Sequence, residues 1–138
     1  MSQIEVDKVI PQSGTSLQIG EAGDTINLTT ATVNLPVGVG GTAWQAVKTS
    51  AFTAVAGEGY FCDTSSSAFT VTLPGSATIG NEISIIDYAG TADTNNITIG
   101  RNGHNIQGQA QDMVVSTERA GFTLVYVDAT QGWLLKDK

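Results

Sequence analysis

The chain has 138 residues, only 14% of them charged, with 16 glycines, a formal net charge of −7 and a pI near 4.3. That length holds one domain, or one domain with an extended appendage. Six scattered basic residues cannot supply the clustered Lys and Arg that phosphate neutralisation needs, which argues against a nucleic-acid partner.

No apolar run approaches the ~20 residues of a membrane-spanning helix, so no membrane insertion is expected. The polar, acidic opening Met1-Ser-Gln-Ile-Glu-Val-Asp-Lys8 does not read as a signal peptide. Cys62 is the single cysteine, which excludes an intramolecular disulfide or a cysteine-based metal cluster. Synthesis in a reducing cytoplasm follows as an expectation.

Residues 1–43 carry no aromatic side chain. Their apolar residues fall in i, i+2 pairs: Ile4/Val6, Leu17/Ile19, Ile26/Leu28 and Val33/Leu35. Ser13-Gly14, Gly20-Glu-Ala-Gly-Asp24 and Pro36-Val-Gly38 separate the pairs, as very short strands and tight turns would require. Such strands cannot enclose a core alone. Residues 1–43 are therefore expected to pack on the main domain or, as the favoured reading, to wind together with equivalent segments of other chains. Gly38-Val-Gly-Gly41 reads as a hinge.

All nine aromatic residues lie in 44–138, which places the core there. Strands are predicted over 44–49, 52–56, 59–63, 69–73, 82–87, 96–99, 113–117, 122–127 and 132–136. In Phe69-Thr-Val-Thr-Leu73 the apolar and hydroxyl side chains alternate, giving one oily and one polar face. Phe122–Val127 is apolar at nearly every position and reads as a central strand covered on both faces. Tyr126 and Trp133 are predicted cross-strand partners in a final hairpin. Ala120 and its neighbours give a faint helical signal. The fold class expected is all-β: an antiparallel β-sandwich or jelly-roll-like domain over 44–138, behind a thin extended N-terminal β segment over 1–43.

Candidate chemistry is sparse. His104, the single histidine, sits in the turn sequence Arg101-Asn-Gly-His-Asn105 with no orienting partner nearby in sequence, and reads as a loop-tip residue. The alternative is a ring of His104 or Arg101 side chains holding an anion on a symmetry axis. Cys62, between Phe61 and Asp63, reads as a small buried hydrophobe. Asp87, Asp93, Asn95, Asn96, Asp112 and Asp128 match no calcium-loop spacing and read as turn formers. Gly38-Val-Gly-Gly-Thr42 lacks the Lys of a phosphate loop. Glu58, Asp63, Glu82 and Asp87 are the carboxylates from which a hydrolytic pair would be drawn, and nothing in the sequence singles one out. No catalytic, cofactor or metal site is expected, and the chain reads as a non-enzyme.

Several stretches together carry a resemblance: the run from Trp44 to Tyr60, Phe69-Thr-Val-Thr-Leu-Pro74, Asp87-Tyr-Ala-Gly90, Thr94-Asn-Asn-Ile-Thr-Ile-Gly-Arg-Asn-Gly103 and Gln131-Gly-Trp133. The sequence resembles the β-module that recurs in tail-fibre-like and other virion structural proteins of tailed bacteriophages, especially marine ones. Residues 4–28 are similar to the thin N-terminal segments of those proteins. The resemblance implies a homotrimer in the virion, assembled in the host cytoplasm, with tail, collar or capsid proteins as partners. Members often repeat the N-terminal pattern at length, whereas little more than one copy is present here. That departure favours a short tail fibre, spike or collar-type trimer docking through its N-terminal part. A capsid decoration protein is the alternative, and a module for host attachment through a surface glycan or receptor is a third reading.

Overall fold

The structure, a computed structural model, describes residues 41–137. The apolar pairs of the N-terminal segment, most of the glycine hinge and the intertwining expected of residues 1–43 lie outside the described residues, apart from Gly41–Ala43.

The described residues form nine strands: β1 Ala43–Trp44, β2 Phe52–Thr53, β3 Glu58–Cys62, β4 Phe69–Thr72, β5 Glu82–Asp87, β6 Ile97–Gly100, β7 Met113–Val115, β8 Gly121–Asp128 and β9 Gly132–Leu135. Each falls at a predicted position. β1 is the shortest relative to expectation, because the backbone leaves the ladder after Gln45 and rejoins β3 only at Lys48, opposite Cys62. The faint helical signal near Ala120 resolves as a turn, with Ala120 N–H donating to Thr117 O and Arg119 at φ +57°.

Two mixed sheets result, one ordered β1-β3-β5-β8-β9 and the other β2-β4-β6-β7. From β1 to β6 the chain crosses to the other sheet at every turn. Strands that follow one another in sequence therefore do not pair. Each instead lies parallel to the strand one coil later, so that Phe52, Val71 and Ile99 stand side by side in one sheet. Gly59 and Ser84 do so in the other. Only then does the chain finish antiparallel: β7 on β6, β8 on β5, and β9 as a hairpin on β8. This corrects the antiparallel, jelly-roll-like expectation. Side-chain alternation reports which residues share a face and says nothing of strand direction, so a turn after Leu73 leaves open whether the chain doubles back or, as here, crosses to the other sheet.

The core lies between the two inner faces. Tyr60, Cys62, Ile83, Ile85 and Leu124 face Phe69, Val71, Leu73, Ile97 and Ile99, all buried. The Phe52 ring of one sheet meets the Tyr60 ring of the other at 4.6 Å. Tyr126 pairs with Trp133 as predicted, their rings 5.5 Å apart and edge to face. β8 is not covered on both faces. Leu124 and Tyr126 are buried while Val125 and Val127 are partly exposed, as on a sheet packed on one side. Nor are all aromatics in the core, since Trp44 is 47% and Tyr88 51% exposed.

Phe69, Val71 and Leu73 point inward, and Thr70 and Thr72 lie on the half-exposed outer face. Leu73→Ala should therefore cost about 2–5 kcal/mol. Thr72→Ala should cost under about 1 kcal/mol. Urea melts of the two variants measure the difference.

Candidate functional site

The sequence-level candidates occupy four places. The first is the inner end of β5. Asp87 is 2% exposed, and its carboxylate accepts hydrogen bonds from the backbone N–H groups of Gly90, Thr91, Ala92 and Arg119 at 2.9–3.3 Å. It thereby shapes the loop after β5 and pins it to the turn before β8. Cys62 stands beside Asp87 in register and is fully buried. Burial, and secondarily the neighbouring carboxylate, push its thiol up from 9.0 to about 12.

A thiol with a raised folded-state pKa holds its proton where the unfolded chain would lose it. Its contribution to stability is complete below pH 9 and is lost as pH rises toward 12. The Tyr60 phenol, raised by burial and by donating to Glu58, acts in the same direction at higher pH. The melting temperature should fall steeply between pH 9 and 11, and native Cys62 should resist a thiol reagent at pH 8 until denaturant opens the fold. Scanning calorimetry and a thiol titration check both statements.

The second place is the loop after β6. His104 is half-buried, its imidazole edge-on to the Tyr126 ring at 5.1 Å and its Nε2 3.2 Å from Gly75 O. Arg101 donates through its guanidinium to His104 O, and its backbone N–H donates to Asp112. His104 thus packs onto the fold rather than standing at a free loop tip.

The third comprises the remaining turn residues. Asp128 accepts from the N–H groups of Thr130 and Gln131. Asn95 donates to Thr64 O, Asn96 donates to Ala92 O, and Asp93 accepts from the Thr94 hydroxyl. Among the described residues no three His, Cys, Asp or Glu side chains gather as metal ligands would.

The fourth place was not legible in the sequence. Of the four carboxylates weighed there, Asp63 holds the following turn through Ser65, whose hydroxyl first and backbone N–H second keep its carboxyl below the usual range, and Asp87 is engaged as above. Glu58 and Glu82 are brought to one cleft of about 530 Å³, with Asn81, Ser84 and Lys136 on its walls. There Lys136 pairs with Glu82 at 3.0 Å, which raises the ammonium pKa, and Glu58 accepts the Tyr60 hydroxyl.

Ser84 also lines a second groove of about 230 Å³ on the outer face of the five-stranded sheet, with Trp44, Ile86, Gly121, Thr123 and Asp137. Trp44 is stacked on Phe61 with ring centroids 4.8 Å apart and planes 26° from parallel. The indole lies over Gly59, where a Cβ would stand 2.6 Å from its ring. Across the sheet the Ser84 and Thr123 hydroxyls are 2.9 Å apart.

In comparisons with known protein families and with curated proteins, the chain matches none. The two grooves and the strands beneath them are thus the ground on which a function has to be argued. Trp44, one of the nine aromatics that marked residues 44–138 as the part holding the core, is not itself in that core. Only the pairing of Trp44 with Gly59 turns it outward.

Proposed function

We propose that this chain is a non-enzymatic structural protein of a tailed-bacteriophage virion, a short tail-fibre, spike or collar-type homotrimer that docks to the particle through its N-terminal part. The observation that supports this reading most is the stack of parallel coils. Its first coil consists of β1 and β2, two residues each, and each forms the outer edge of its sheet. An edge so short completes little of its own ladder, and in stacked-coil proteins further strands complete it. The chain enters the stack at that edge, and the residues that precede it in sequence carry the apolar pairs that ask for partners. The resemblance of residues 44–133 to phage β-modules points the same way. So does the engagement of Asp87, Asp128, Asn95 and Asn96 in holding loops.

The test has two arms. Light scattering coupled to gel filtration of the intact chain should return the mass of three subunits, and a folded monomer at micromolar concentration overturns the trimer. Residues 1–43 fused to a foreign trimeric domain should load onto particles lacking this protein at near-native occupancy. If only constructs retaining residues 44–138 load, and their absence weakens the shell to heat, the chain is a capsid decoration protein instead.

A further inference from the structure

We propose that Asn102 is a self-modification site, converted to an aspartyl or isoaspartyl residue by attack of the Gly103 main-chain nitrogen, at a rate the fold holds back through Leu73. The inference stands on the geometry of one turn and does not depend on where the protein works.

Asn102-Gly103 is the only Asn-Gly step in the chain, and every other asparagine precedes Glu, Asn, Ile or Leu. The attack needs a bare, reachable main-chain nitrogen, and this turn supplies one. Both residues are exposed. Gly103 stands at φ +89° with nothing within 4 Å of the place a Cβ would occupy, so neither a side chain of its own nor a neighbour crowds the ring that has to form. Among the described residues no acceptor takes the Gly103 N–H, whereas the next amide, that of His104, is bound to Arg101 O at 3.0 Å.

The chemistry needs only water and hydroxide. Hydroxide removes the Gly103 amide proton, and the nitrogen adds to Asn102 Cγ. The new N–Cγ bond forms as the Cγ–Nδ2 bond breaks, and the departing nitrogen takes a proton from water and leaves as ammonia. Water then adds to one of the two carbonyl carbons of the five-membered imide. Opening at Cγ leaves an aspartyl residue. Opening at the main-chain carbonyl reroutes the chain through Cγ and leaves an isoaspartyl residue. Asparagine and water become a carboxylic acid and ammonia, with no change of oxidation state.

One bond sets the pace. Asn102 lies in the left-handed region at φ +47°, and its Nδ2 donates to Leu73 O at 2.8 Å. That bond ties down the very group that has to turn toward Gly103 and leave, so the reaction waits on the turn letting go of Leu73. Gly75 keeps the bond intact, because a Cβ there would stand 3.2 Å from Asn102 Nδ2 and press the amide away. The product cannot restore what is lost. A carboxylate has no proton for Leu73 O and would face it oxygen to oxygen. An isoaspartyl step also adds a carbon to the main chain inside the turn that seats His104 on Tyr126 and Gly75. Each event therefore loosens the loop after β6 from the end of β4.

The experiment is peptide mapping by mass spectrometry of the intact protein held at pH 8.5 and 37 °C, with isoaspartate scored by enzymatic methylation. Amide-to-acid exchange should appear at position 102 before any other asparagine, and mostly as isoaspartate. Gly103→Ala should slow it tenfold or more. Gly75→Ala should speed it at least threefold with the fold intact, and wild type unfolded in guanidinium should outpace the native chain. Asn102→Asp should lower the urea midpoint. Should Gly103→Ala fail to fold, Gly75→Ala and the unfolded chain decide the question. The proposal is overturned if the native chain stays unmodified at 102 while other asparagines react. It is equally overturned if native, unfolded and Gly75→Ala chains react at one rate, since the bond to Leu73 would then hold nothing back.

Discussion

Gly132→Ala is expected to be the most damaging single-methyl change among the glycines of the described residues. Gly132 opens β9 at φ +71°, and a Cβ there would stand 1.8 Å from the carbonyl oxygen of Asn105 and 2.5 Å from its carbon. Those are backbone atoms and have no rotamer to escape into. The same segment is sewn to the 105–108 loop by Trp133 N–H to Asn105 O, Gln107 N–H to Trp133 O and Gly108 N–H to Gln131 O. Moving the loop aside breaks these bonds and unseats Ile106 and Trp133, both in the core. Left-handed strain of about 1–3 kcal/mol together with the broken bonds puts the loss above about 4 kcal/mol. Gly103→Ala is the control. It has φ +89° with nothing within 4 Å of its Cβ, so it carries the strain alone. Equal urea midpoints for the two variants would show that the close approach at Asn105 is not there.

Asp87→Ala should be nearly as severe, for a reason that involves no packing. The change leaves four backbone donors around a buried point without their acceptor. Each donor that stays dry costs about 1–3 kcal/mol, so two of them already put the loss near 4 kcal/mol. Asp87→Asn keeps one oxygen but turns an NH₂ toward other donors, and should fall between wild type and alanine. Arg119→Ala should cost little, because Arg119 reaches Asp87 through its backbone N–H. Hydrogen exchange at Gly90, Thr91, Ala92 and Arg119 should quicken in Asp87→Ala before the rest of the sheet responds. Unchanged exchange at those four amides would refute the role given to Asp87.

How far the sequence carried the fold can be judged residue by residue. Phe69, Val71 and Leu73 declared their shared face because strand side chains alternate, and Tyr126 met Trp133 because a short hairpin sets its own register. Strand direction was silent, since the pairing of Gly59 with Ser84 is decided by where the turns send the chain. The candidate site was hidden for the same reason. Glu58 and Glu82 are distant in sequence and become neighbours only through the parallel coils. Trp44 faces outward because Gly59 lies opposite it, a fact that no local window contains.

The interleaved path through the two sheets also constrains how the molecule comes together. Between β1 and β6 neither sheet holds two consecutive strands, so neither can gather before the other. Every ladder there closes a loop through the opposite layer, and the entropy of that closure precedes the contacts that offset it. Of the two consecutive pairs that do form, β7 reaches back to β6 across residues 101–112, and only β8 and β9 are joined by a tight hairpin. Refolding of this body should therefore run slowly and in a single phase, with the β8–β9 hairpin as its one early element and no species that carries one finished sheet without the other.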